Sequence, residues 1–156
     1  MIARITGGRC TWGGILLLLA VSVGCTRSDE KSQQALAAEI AKAQQQHRFA
    51  DFAQAVPIEW DTLFMFAPYT ERRRIEEQLG FRWPDADRAA TQNNDMFWLF
   101  VFVKDHRVVR WVDFVRADGD PINLGDPSRS WSMRFTRNEA KFKVRVDKQG
   151  RRVLEM

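Results

Sequence analysis

Few residues of this chain are of a type that does covalent or acid–base chemistry, and they are scattered. It has two cysteines, Cys10 and Cys25, and two histidines, His47 and His106. Nucleophilic catalysis needs a Ser, Thr or Cys beside a base that is itself oriented. No Gly-x-Ser-x-Gly elbow and no phosphate-cradling glycine loop occurs. His47 has no second His or Cys at helical spacing with which to hold a metal, and His106 falls on a turn. Asp61 and Asp113, each within an apolar stretch, are the pair that would have to meet for carboxylate-assisted hydrolysis. The run from Asp118 to Asp126 offers several oxygens of the kind Ca²⁺ gathers in sets of six to eight. It lacks EF-hand spacing and a terminal Glu, and Asp, Gly and Pro are also what a surface turn requires. No catalytic residue, metal site or cofactor is therefore expected.

A surface is the better candidate for function. Arg134, Lys141, Lys143 and Arg145 alternate with apolar residues and should project from the solvent face of the last strands. Such a stripe could attract lipid headgroups, lipopolysaccharide phosphates or an acidic protein. Solvated lysines on a sheet that must not pair edge to edge would look the same. Tyr69, directly after Pro68, is the aromatic residue expected to be exposed.

The most specific signal lies at the start of the chain. Met1 to Arg9 carries Arg4, Arg9 and no acid, and the apolar run Ile15 to Val23 follows. That is the layout of an export signal. Nine residues of helix span about 14 Å, half of the ~30 Å hydrocarbon layer, too short for a stable crossing. Ser22-Val23-Gly24-Cys25 then resembles the lipobox of bacterial lipoproteins, with Ser22 where Leu is commonest. The resemblance implies that the Cys25 thiol receives diacylglycerol, that the chain is cut before it, and that the new terminus is acylated. Such an anchor exceeds the two-signal threshold for stable attachment. Thr26 stands where an Asp would retain the product at the inner membrane, so the periplasmic face of the outer membrane is expected if the source is Gram-negative. Cleavage would remove Arg4, Arg9 and Cys10, leaving a nearly neutral chain with a net charge of +2 and no free thiol. Nucleic acid is then not an expected partner.

The remaining chain must build the domain that this anchor carries. Residues 25–31 read as a tether and 32–48 as a helix, with Ser32 as its cap and Leu36, Ile40, Ala43 and His47 on one stripe. That helix either docks on a sheet or spaces the domain from the membrane. Residues 57–156 read as one α+β domain. Ile58 to Ala67 enters as a strand, and Thr70 caps a helix to Leu79 that Gly80 ends. Met96 to Val103, apolar throughout, must be a strand covered on both faces; Lys104 to Arg107 turns it back into Val108 to Val115. Three half-solvated strands follow, around Met133, Val144 and Leu154. The expected fold is one mostly antiparallel sheet of about five or six strands with helices on one face, preceded by the N-terminal helix.

Trp60-Asp61 through Pro68-Tyr69-Thr70, with Leu79-Gly80-Phe81-Arg82-Trp83 and Phe102-Val103-Lys104-Asp105, also looks like small secreted bacterial lipoproteins. Those residues are packing and turn positions, and no activity comes with them. The expectation is thus an envelope lipoprotein with a non-catalytic binding or scaffolding domain, its partners a membrane and an envelope protein. The alternatives are a small envelope hydrolase using carboxylates or a divalent ion, and an inhibitor or immunity-like protein.

Overall fold

The computed structural model describes residues 29–121, 124 and 132–156. In chain order the elements are α1 (Glu30–Gln45), β1 (Phe49–Asp51), α2 (Phe52–Ala55), β2 (Thr62–Phe66), α3 (Arg72–Leu79), β3 (Phe97–Lys104), β4 (Arg107–Val115), β5 (Ser132–Thr136), β6 (Lys141–Val146) and β7 (Arg152–Glu155). Short 3₁₀ turns at Ala86–Arg88, Ala90–Gln92 and Arg116–Asp118 complete it. The fold is α+β with antiparallel pairing between its strands. The strands form two sheets instead of the single sheet expected, one of order β4-β3-β2-β5 and one of order β1-β6-β7.

The larger sheet follows from β3. Its side chains are apolar on both faces, so each face needs a cover. Trp98, Phe100 and Phe102 enter one core with Leu63, Met65, Val112, Phe114 and Phe135, roofed by Leu36, Ile40 and Ala43 of α1 and by Phe142 and Leu154 of the smaller sheet. Leu99, Val101 and Val103 enter a second core with Phe64, Phe66 and Trp111, closed by Ile75 and Leu79 of α3 and by Trp83. Helices therefore lie on both faces of the sheet and not on one, because a doubly apolar strand left open on one side would expose a continuous hydrophobic surface.

Why the strands divide is visible between β5 and β6. Phe135 and Phe142 meet edge to face, with ring centroids 5.0 Å apart, and Phe52 packs against Phe142 at 4.9 Å. Turning β6 over the core buries these rings; laying it beside β5 would not. The free edge of β6 is then taken by β1, with Ala50 opposite Phe142. Three residues, Phe-Ala-Asp, carry too little periodicity to be read as a strand.

Local chemistry sets the boundaries. Asp29, not Ser32, caps α1: one carboxylate oxygen accepts from Lys31 N at 3.1 Å, the other from the Ser32 hydroxyl at 2.8 Å. Ser32 lies buried within the first turn. Of the two roles open to α1, docking is the one observed, since Leu36, Ile40 and Ala43 are fully buried. Glu71 occupies the cap position of α3, and the Thr70 hydroxyl instead donates to Ala67 O at 2.6 Å. Gly80 ends that helix at φ +76°, a conformation that a β-carbon penalises. Asp105 and His106 both take positive φ, the geometry of a two-residue hairpin turn that matches strand twist.

Candidate functional site

The groups singled out for chemistry do not converge. His47 and His106 are both exposed; His106 touches the edge of Phe81, with centroids 6.5 Å apart. The Asp61 amide donates to Val103 O, whereas Asp113 is in register with Leu99. Four residues of β3 separate those two points, about 14 Å at the ~3.4 Å rise of a strand. Asp61 Oδ2 accepts from Asp105 N at 3.2 Å, and Asp113 Oδ1 from Ala90 N at 3.0 Å. The carboxylates thus hold different loops and share no cleft.

In the described part of the Asp118–Asp126 run, the carboxylates are also occupied. Asp118 accepts from Gln33 Nε2 at 3.0 Å. Asp120, 2 % exposed, accepts from Trp98 Nε1 at 3.0 Å and from Arg116 Nε and Nη2 at 3.1 and 2.7 Å. Its backbone exchanges hydrogen bonds with Arg152 and Leu154 of β7. This aspartate joins the two sheets, a role with no local sequence signal because Trp98 and β7 are distant in the chain. Asp126 lies outside the described residues, as do Cys10 and Cys25.

The basic stripe divides between the sheets. Lys141, Lys143 and Arg145 alternate with inward Phe142 and Val144, and so share the outer face of the smaller sheet. Lys141 lies 3.6 Å from Asp51 and Arg145 3.0 Å from Glu155. Between them Lys143 stands opposite Phe49, which is 54 % exposed. Arg134 belongs to the larger sheet, opposite Phe64 on the α3 side, with its guanidinium 5.8 Å from that ring. It lines a groove of about 500 Å³ with Asp61, Phe81, Asp105 and His106, a mixture of both charges. Alternation along each strand was legible, but the sheet to which each strand belongs was not. Tyr69 is exposed as expected, at 61 %, and holds φ +63°, its amide bonded to Thr91 O.

A feature that the sequence did not flag occupies the edge of β4. Asp29, at the head of α1, donates its amide to Trp111 O at 3.1 Å and pairs its carboxylate with Arg110. Burial pushes the Asp29 carboxyl up, but the Ser32 hydroxyl, the Arg110 charge and the first-turn amides outweigh it and hold the group below the usual carboxylate range. Beside this junction Glu30, Gln33, Arg88, Phe97, Trp111 and Val115 line a second groove of about 500 Å³. The entry of α1 is thereby fixed to the sheet at backbone and side chain alike. At the other end of α1, hydrogen bonds from the Arg48 guanidinium hold Glu39 low, against some burial, and Glu39 in turn accepts from Asp51 N at 2.9 Å.

Comparison with protein-family models, with curated proteins and with solved structures finds no match to this chain. Among the described residues, no helix is long and apolar enough to cross a membrane.

Proposed function

We propose that the chain is an envelope lipoprotein, anchored through lipid on Cys25, whose α+β domain binds or scaffolds and does not catalyse. The observation that carries this reading is the order of features along the chain. A cationic start and a nine-residue apolar run lead to Gly24-Cys25, and Asp29, four positions later, caps the first described helix. The non-catalytic half is supported by the scatter of the chemical groups: two exposed histidines, two aspartates that hold separate loops, and Asp118 and Asp120 engaged by Gln33, Trp98 and Arg116. For a protein partner, the outer face of the smaller sheet offers an exposed aromatic, Phe49, opposite Lys143 and between two ion pairs. That composition, an apolar anchor within a polar rim, is what a transient interface uses.

Metabolic labelling with an alkyne fatty acid tests the anchor. The wild-type chain should take up label and sediment with membranes, and Cys25→Ala should do neither. Absence of label, or a Cys25→Ala chain equally bound, would remove the reading. For the domain, pull-down from detergent-solubilised envelopes should recover a stoichiometric protein whose capture is lost with Phe49→Ser and Lys143→Glu together.

A further inference from the structure

Resting on the lipoprotein reading, the geometry points to the β4 edge around Trp111, with the groove beside it, as the surface that faces the bilayer headgroups. The argument is one of length. Asp29 is fixed to the sheet by its amide on Trp111 O, by its carboxylate on Arg110 and by its caps to Lys31 and Ser32. Cys25 precedes it by four residues, and four Cα steps of 3.8 Å reach at most about 15 Å. The headgroup layer itself takes up about 5–7 Å of that reach. A compact unit of roughly 130 residues has a radius of gyration near 14 Å, hence a diameter of about 35 Å. A tether shorter than half the diameter cannot let the domain turn its far side to the membrane. Since α1 is packed into the core, it adds nothing to the reach.

The face so held is specific. Val109 is exposed two residues from Trp111 on the same edge strand, and Lys31 and Arg107 are exposed to either side. Gln45, the last residue of α1, is exposed about 24 Å along the helix from Asp29 at 1.5 Å per residue. The lipid surface therefore occludes the β4 edge, which would otherwise invite pairing with another strand.

The test uses the full chain, expressed in cells, purified lipidated and reconstituted in vesicles of phosphatidylethanolamine with a minor share of phosphatidylglycerol. With Cys10 cleaved away and Cys25 acylated, a new thiol is the sole labelling site. Fluorophores are placed by Val109→Cys or Gln45→Cys, and a spin-labelled headgroup lipid serves as quencher. The Val109 label should be quenched several-fold more than the Gln45 label. A second pair carries a twenty-residue Gly/Ser insertion after Thr26, which should bring the two labels to equal quenching. Equal quenching in the uninserted chain, with the protein still in the vesicles, would overturn this inference and leave the anchor standing. Asymmetry that survives the insertion would also overturn it, since tether length would not be the cause. A chain that neither takes up label nor stays with the vesicles would remove the anchor and this inference together.

Discussion

Replacing Asp120 probes the join between the two sheets. In the intact protein its carboxylate satisfies the buried Trp98 indole N–H and forms a forked pair with Arg116, while its backbone holds β7. Asp120→Ala leaves the indole donor buried without a partner, a loss of about 1–3 kcal/mol. Breaking a fully buried ion pair costs about 3–5 kcal/mol. The Arg116 side chain is 30 % exposed and can turn to water, which reduces its share to about 1 kcal/mol. The sum is about 3 kcal/mol. Asp120→Asn keeps an acceptor for Trp98 but sets an amide N–H2 against Arg116, whose half-open side chain must turn to water, a loss of about 1–2 kcal/mol. The assay is urea unfolding of the chain from Thr26 onward, followed by tryptophan fluorescence. With a slope near 2 kcal/mol per molar, Asp120→Ala should lower the midpoint by about 1.5 M and Asp120→Asn by half as much. In the Asp120→Ala background, Trp98→Phe should cost less than it does alone, by about 1 kcal/mol. A midpoint shift below about 0.3 M for Asp120→Ala, or additive losses in the double variant, would refute the reasoning. Calcium should leave every midpoint unchanged; a rise in the wild type that Asp120→Ala abolishes would restore the loop as an ion site.

Two further outcomes rest on other contacts. A β-carbon at Gly119 would stand 2.9 Å from Ile40 Cδ1 and 3.4 Å from its Cγ2, so Gly119→Ala should destabilise by about 1–3 kcal/mol, and Ile40→Val in the same chain should recover part of that loss in thermal melts. Asp29 and Glu39 both have folded pKa values held below the ordinary carboxylate value. Their contribution is therefore complete above about pH 5 and is lost as pH falls through the folded values, so the urea midpoint should drop on acidification toward pH 3. Glu39→Gln should flatten that dependence; an unchanged slope would show that Arg48 does not favour the ionised form.

What could be read from the chain, and what could not, divides by the range of the interaction. The strand from Phe97 to Lys104 and its hairpin were legible because the eight apolar residues Met96 to Val103 and a polar turn are contiguous. Gly80 as a helix end was legible for the same reason. Ser32 and Thr70 read as caps, but Asp29 caps α1 with its carboxylate, and at α3 the cap position falls on Glu71, which makes no side-chain cap bond, while the Thr70 hydroxyl turns back to Ala67 O. The Arg134 to Arg145 stripe was correct as alternation and incomplete as a surface. One face of a strand is set by period two, but which sheet receives the strand depends on Phe135 meeting Phe142 across the core.

By itself the sequence determined where polar and apolar faces lie, the hairpin, the α+β class, and the expectation of export and lipid attachment, since each depends on residues adjacent along the chain. Only the tertiary structure decided that there are two sheets with helices on both sides, that Asp61 and Asp113 stay apart, that Asp120 joins the sheets, and that Asp29 is fixed to the β4 edge. Each of these depends on pairings between distant residues, made by burying rings and satisfying buried donors, and no local pattern encodes them.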